Sequence, residues 1–231
     1  MRLHVGALFT QSSRGRLLGA NVPSGGPAPR FFLGRTSDGN LCWLGRDIDD
    51  ELAAELEALC EAERTGFETE PHSNRDRPFI DRLSREAPTT RIWAGPVFVV
   101  PANVPGSSTA VRVIPDNIAV LSPYLEAWRE DVAAGTPTAA VITGDNAVSV
   151  CASVRITARA HEAGVETHPD FRRLGQAAQA VAAWANMVRE RGGVPLYSTS
   201  WSNRPSRGLA RKLRWCNSAL TSTFLMRHSA A

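Results

Sequence analysis

The spacing of hydrophobic residues changes several times along this chain, and each change marks an element. Short apolar runs at Phe31 to Leu33 and Leu41 to Leu44 predict two strands joined by the turn-forming Ser37-Asp38-Gly39-Asn40. The period then lengthens: Ile48, Leu52, Leu56 and Leu59 recur at helical spacing, and Asp47 or Asp49 offers an N-cap whose charge suits the helix dipole. Polar, proline-broken sequence from Pro71 to Pro88 predicts a loop with a short helical turn at most. Val97 to Val100 and Val111 to Ile114 read as strands around the turn-rich Pro105-Gly106-Ser107-Ser108. The first thirty residues, rich in Gly, Pro and Ser and including PSGGPAPR from Pro23 to Arg30, predict an ordered loop at best.

Near Asn117 the character changes again. Ser122 reads as a cap and Pro123 as a first helical position, Leu125, Trp128 and Val132 form one face, and Gly135 is a fitting stop. A hairpin follows, Ala139 to Thr143 and the long Ala147 to Ile156 around Gly144-Asp145-Asn146. Next come a strand from about Glu162 to Thr167, a Gly-containing turn, and a helix from Gln176 to Arg191 with Val181, Trp184, Ala185 and Val188 on one face. A strand from Pro195 to Trp201 leads into a helix beginning near Asn203 or Ser206, with Leu209 and Leu213 facing inward. The pattern predicts an α/β protein in two parts, an N-terminal α+β portion over residues 1–117 and a second domain over 118–231.

Composition sets limits on this picture. An apolar content of 43% against 21% charge is that of a chain able to bury a real core. No run approaches the ~18 apolar residues of a spanning helix, and the start of the chain lacks a signal core with a cleavage site, which reads as a cytoplasmic protein with no membrane partner. The net charge of +3 is unevenly placed: eight acidic and no basic residues lie between Asp47 and Glu63, and seven basic and no acidic ones from Arg191 onward. Only the C-terminal region favours a polyanion. Of the basic residues Lys212 alone is Lys, and the tail lacks interleaved aromatics, so nucleic acid ranks last among ligands. Cys42, Cys60, Cys151 and Cys216 form neither a CxxC pair nor a cluster with histidines, and they read as reduced thiols with no metal site.

The stretch Gly164 to Ala185, GVETHPDFRRLGQAAQAVAAWA, carries the candidate chemistry. A strand passing through a short Arg/Gly turn into a helix is a device for holding pyrophosphate. Backbone N–H groups of Arg173, Leu174, Gly175, Gln176 and Ala177, freed at the turn and first helical turn, point at an anion, and the helix dipole adds a favourable field. Gly175 permits close backbone approach, and Arg172 and Arg173 can add charge-assisted contacts to phosphate. The bland reading of the same residues is a plain turn with a solvated Arg pair.

These residues resemble the GNAT acetyltransferases, whose signature between the fourth strand and the next helix is Arg/Gln-x-x-Gly-x-Gly/Ala. Arg172, Gly175 and Ala177 stand at its three fixed positions. Thr167-His168-Pro169 matches the family's strand exit, and Asn203, Ser206 and Leu209 match its Asn-x-x-Ser/Ala-x-x-Leu entry to the last helix. The likeness runs from about Leu121 to Trp215. It implies a mixed, mostly antiparallel sheet flanked by helices, and acetyl-CoA lying where the fourth and fifth strands splay apart. Its pantetheine arm would meet backbone of Val165, Glu166 and Thr167 and the side chain of Asn203, with Arg207, Arg211 and Lys212 near the 3′-phosphate.

The resemblance further implies an N-acetyltransferase working by direct attack of a neutral amine on the thioester, without a metal. Glu166 is the first candidate for general base, with Glu162, His161 and His168 also on or beside the strand. Glu166 reads equally as a surface partner for an Arg, and the two histidines as surface or turn residues. Many relatives carry a Tyr seven residues after the Asn to protonate the leaving thiolate. Ala210 stands there, and Tyr197 on the fifth strand is a conceivable replacement. Arg214-Trp215 also departs from the usual Gly. Trp128, Trp184 and Trp201 read as packing residues, Trp201 being the one best placed to line a pocket. The acceptor is a small-molecule amine or other amino group that the sequence does not specify; a homodimer and a non-catalytic acyl-CoA sensor both remain open.

Overall fold

The computed structural model describes residues 1–66, 74–86, 89–102, 109–213 and 217–226, with backbone alone for 89–91 and 217–226. The turn at Pro105 to Ser108, both ends of the Pro71 to Pro88 stretch, and Arg214, Trp215 and Cys216 lie outside these residues. The chain divides into two compact units. The described residues of Met1–Val97, Ser198–Arg204 and Asn217–Ala231 form the first, and those of Phe98–Tyr197 and Pro205–Cys216 form the second.

In the first unit, helix α1 (Arg2–Leu8) and strands β1 (Phe9–Gln11) and β2 (Leu17–Ala20) precede the hairpin β3 (Phe31–Thr36) and β4 (Gly39–Leu44). Helices α2 (Asp50–Ala62) and α3 (Arg77–Leu83) follow, then β5 (Thr89–Val99), and the chain's last strand β11 (Asn217–Met226) pairs antiparallel with β3. The Asp49 carboxylate accepts from the Leu52 amide at 2.8 Å, so the cap read from sequence is the one used. The first thirty residues are more ordered than their composition suggests. The β3–β4 hairpin has two apolar faces: Phe31 and Leu33 meet α2 and α3, while Phe32 and Trp43 on the other face are covered by Val5, Leu8 and Leu17. Leaving that second face wet would cost roughly 1.5–3 kcal/mol for each large side chain, which is what folds α1 and β2 onto it. Cys42 and Cys60, distant in sequence, meet between β4 and α2, where their thiols hydrogen-bond.

The second unit contains β6 (Ala110–Arg112), α4 (Arg129–Ala133), β7 (Thr138–Thr143), β8 (Asn146–Ile156), β9 (Ala160–Thr167), α5 (Gln176–Glu190), β10 (Val194–Ser198) and α6 (Arg204–Lys212), whose first residue falls in the first unit. Its strands run in the order β10-β9-β8-β7-β6. Only β9–β10 is parallel, so the sheet is mixed and mostly antiparallel as expected. Helix α5 buries Val181, Trp184, Ala185 and Val188, the face read from sequence, against one side of the sheet; the other side carries Val113, Leu121, Leu125 and Val132. The helix expected from Pro123 starts later and is short, because Ser122 donates to the Glu126 carboxylate instead of capping, and a 3-10 turn at Glu126–Trp128 precedes α4. Gly135, at φ 74°, ends it as expected. Among the described residues no helix is long and apolar enough to cross a membrane, and no group of three His, Cys, Asp or Glu could hold a metal.

His161, expected at the surface or in a turn, is buried under α5. The Ser153 hydroxyl contacts its Nδ1 at 2.9 Å and accepts the Trp184 indole N–H at 2.9 Å. Burial, and secondarily the Arg191 guanidinium, push the imidazole below its ordinary range. The folded protein therefore keeps neutral a ring that the unfolded chain protonates near ~6.5. Stability present above that pH is lost as pH falls below it. Urea midpoints at pH 7.5 and 5 should differ less in His161→Gln than in the unsubstituted protein; equal differences would remove His161 as a cause.

Candidate active site

Strands β9 and β10 begin side by side and then part. Their register runs from Val194 opposite Ala160 to Leu196 opposite Glu162, and among the described residues no pairing between them follows, although β9 continues to Thr167 and β10 to Ser198. On its other side β9 stays paired with β8 throughout, from Ile156 opposite His161 to Ser149 opposite Thr167. Backbone groups alternate along a strand, so the hydrogen bonds at its two ends fix which residues face the gap. The Arg159 carbonyl accepts from Val194 of β10, whereas the Glu166 carbonyl accepts from the Ser149 hydroxyl of β8. The C=O of Ala163 and the N–H and C=O groups of Val165 and Thr167 accordingly point to the side that β10 has left, the Ala163 N–H being the last to meet β10. Glu166, counted with Val165 and Thr167 on sequence grounds, turns its backbone to β8 instead.

The strand exits into the turn that precedes α5. Arg173 and Gly175 both have positive φ, 64° and 89°. A left-handed conformation at a non-glycine residue costs on the order of 1–3 kcal/mol and persists where its surroundings enforce it, often at binding sites. Two such residues flanking the exposed Leu174 bring successive amides together at the start of α5, where the first helical N–H groups have no partner within the helix. The Arg172 Nε donates to the Thr167 carbonyl at 3.2 Å, and a Cβ placed on Gly175 would lie 3.4 Å from the Lys212 ammonium. The turn thus joins a sheath of amides to the positive charges of Arg172, Arg173 and Lys212, an arrangement suited to a pyrophosphate. Gln176 and Ala177 open the helix beside it.

The two faces of β9 differ. Ala163 and Val165 pack towards α5, and the opposite face carries Gly164 and the exposed Glu166. Trp128, read as a packing residue, lies over Gly164 and donates its indole N–H to Glu166 Oε2 at 2.7 Å. A Cβ on Gly164 would stand 2.3 Å from Val154 Cγ1 and 2.8 Å from Trp128 Cη2, so only glycine fits. A bulge near this point is in β8, where Val154 is the extra residue between Ser153 and Arg155, and alternation along β9 from Ala163 to Thr167 is unbroken. A glycine inside a strand pattern was the sequence signal for this close approach.

Tyr197 sits on β10 just past its last pair with β9. Its hydroxyl bonds the Ser206 hydroxyl of α6, its ring packs by Phe98 at 6.3 Å between centroids, and burial pushes the phenol up to about 12. Ala210 is buried in the same cluster. His168 packs between Tyr124 and Phe171 with tilted rings, their centroids at 4.1 and 5.9 Å, and shapes the strand exit. Glu162 is buried at the last β9–β10 pair. The second unit thus brings together Val165, Thr167, the turn from Arg172 to Ala177, Glu166, Tyr197 and Ser206. Asn203, exposed ahead of α6, and Trp201, whose amide donates to the Ala94 carbonyl, belong to the first unit.

Residues 133–224 match the family model described as GNAT acetyltransferase. This segment is similar to the GNAT acetyltransferases. Solved structures share its architecture. An acetyltransferase of the GNAT family from Colwellia psychrerythraea gives a TM-score of 0.50 at 9% identity, over 94% of this chain and 84% of that one. A GCN5-related N-acetyltransferase-like protein from Streptococcus suis gives 0.47 at 15%, over 85% and 84%. A GNAT-family protein from Novosphingobium aromaticivorans gives 0.48 at 19%, over 60% of this chain and 66% of that one. No curated protein matches the chain. At such identities the likeness is one of fold, and function has to be argued from the site.

Two glycines of the second unit can be told apart by substitution. Gly164→Ala should cost about 1–3 kcal/mol by overpacking and change the tryptophan emission as Trp128 is displaced. Gly175→Ala meets only the flexible end of Lys212, at an ordinary contact distance of 3.4 Å, and should cost about 1–2 kcal/mol, chiefly through backbone conformation, with emission unchanged. Denaturant melts followed by fluorescence check both, and an unaltered emission in Gly164→Ala would contradict the seating of Trp128.

Proposed function

We propose that the protein is an acyl-CoA-dependent N-acetyltransferase that moves the acetyl group of acetyl-CoA to an amine acceptor by direct attack. The observation that carries this reading is the unpaired edge of β9 running straight into a cationic, left-handed turn at the start of a helix. A pantetheine arm carries amides that can take the place of a missing strand, and a pyrophosphate suits the turn. The Val165 and Thr167 backbone receives the arm, and the Arg173 to Ala177 amides with Arg172, Arg173 and Lys212 receive the phosphates. Asn203 and Ser206 are assigned to the arm on the family resemblance. The edge-facing N–H of Val165 is suited to stabilising charge that develops on the thioester oxygen, and Glu166 on the next residue to accepting the amine's proton.

Tyr197 is assigned to the leaving thiolate. Its phenol remains protonated at neutral pH and lies in the cluster that holds Ala210, where many relatives carry their Tyr. The acceptor is a small molecule or other group presenting a primary amine.

Ala210 also favours a second reading, a module that binds acyl-CoA without turning it over, and two measurements separate the pair. Acetyl-CoA at a hundredfold excess over its Kd should add about 2.7 kcal/mol of stability and raise the melting temperature. Gly175→Glu, which puts a carboxylate against the phosphates, should abolish that shift while staying folded. The absence of any shift at millimolar acetyl-CoA would sink both readings. Thiol release with a panel of amines should occur and fall by about 10²–10⁴ in Glu166→Gln; tight binding with no release across the panel selects the non-catalytic module.

A further inference from the structure

Glu166 is exposed, and an exposed carboxylate ordinarily samples several rotamers. Here one of its oxygens is tied down. The indole N–H of the half-buried Trp128 reaches Glu166 Oε2 at 2.7 Å. Three features of the second unit make that contact possible, each unfavourable by itself. β8 spends an extra residue on the bulge that aims Val154 at β9; β9 carries glycine at position 164, where strand propensity disfavours it; and Trp128 ends the 3-10 turn Glu126–Trp128 with its ring against that glycine. A tryptophan seated only for packing needs none of this precision at its nitrogen, which water could satisfy.

We infer that Trp128 is a positioning residue: through its indole N–H it fixes the Glu166 carboxylate beside the open edge of β9, with one oxygen occupied and the other left for the proton of the acceptor amine. The inference rests on the assignment of Glu166 as base. Val165 directs its amide into the gap, and Glu166, the next residue of the same strand, projects from the face opposite α5. Two groups on consecutive residues of a strand paired along its other side keep a constant separation. Holding the side chain removes the remaining freedom between them, and it is this freedom that degrades proton transfer. The ring of Trp128 also occupies the strand face next to the carboxylate, so it forms a wall of the space from which an amine approaches.

The test is a cycle of Trp128→Phe, Glu166→Gln and the double substitution, with thiol release from acetyl-CoA and the best amine of the panel as the reaction. Trp128→Phe keeps an aromatic ring but removes the N–H donor. It should lower kcat on the order of tenfold with KM for acetyl-CoA unchanged, and should cost nothing further once Glu166 is Gln. An equal loss on both backgrounds, or no loss on either, overturns the inference. Glu166→Gln running at the unsubstituted rate overturns the base assignment itself, a separate failure. A readout independent of turnover is the ¹⁵N-tryptophan spectrum, in which the Trp128 indole cross-peak, assigned by its loss in Trp128→Phe, should move in Glu166→Gln. A cross-peak that stays in place shows the hydrogen bond absent in solution and also overturns the proposal.

Discussion

The second unit is organised around a strand that loses its neighbour. From Ala160 to Glu162 β9 is bonded on both sides, and from Ala163 to Thr167 on one side only. Unpaired strand edges attract other chains, and proteins generally block them with charge, proline or a covering loop. Here the edge is short, and it ends under Arg172, whose Nε takes the Thr167 carbonyl. The remaining groups, the Ala163 carbonyl, the Val165 N–H and C=O and the Thr167 N–H, face the gap that β10 has left. Parting the two strands also sets the direction in which β9 leaves the sheet, and with it the placement of the turn and of α5. Burial of Trp184, Val181 and Val188 against β8 and β9 then holds the helix N-terminus at the end of the gap.

Because side chains alternate, one strand serves two surroundings at once. The odd-numbered residues of β9 give their side chains to the α5 core and their backbone to the gap; the even-numbered ones give their backbone to β8 and their side chains to the opposite face. The separation is chemically useful. The residue whose amide faces the gap, Val165, is packed against the α5 core, whereas the one with an exposed carboxylate, Glu166, has its backbone locked in the sheet. The bulge at Val154 falls where this alternation could slip, and it absorbs the irregularity on β8, leaving β9 regular through the segment that matters.

Sequence periodicity was most informative where one physical requirement dominated. α5 and the β3–β4 hairpin were legible because each pairs a clear apolar face with a turn or cap that needs particular residues, Gly175 for one and Ser37 to Asn40 for the other. The turn ahead of α5 was legible for the same reason, since Gly175 answers to backbone geometry at the start of the helix. Elements whose order comes from distant partners were not legible. α1 and β2 exist because Phe32 and Trp43 need a cover, a demand written thirty residues away. His161 looked like a surface histidine because Ser153 and Trp184, which satisfy it, are separated from it along the chain. Trp128 has the spacing of a core residue, and its nitrogen's partner, Glu166, is 38 positions on. β11 drew no expectation, since its pairing with β3 joins the two ends of the chain.

The buried phenol limits what Tyr197 can do. Burial pushes it up to about 12, whereas an ordinary thiol titrates near ~8.5, so handing the proton to a free thiolate is uphill by about three to four powers of ten. In the proposed transfer such a phenol would act best as a donor that keeps its proton, hydrogen-bonding the sulfur as charge accumulates while solvent completes the protonation. Burial raises the neighbouring Cys151 thiol for the same reason, and a thiolate leaving into that cluster would be made more basic by the same desolvation, which narrows the gap. Replacing the usual Tyr by Ala210 therefore does not remove a hydroxyl from this cluster. The proposed donor lies on a strand rather than a helix, where its partner Ser206 and the burial of its ring fix its direction.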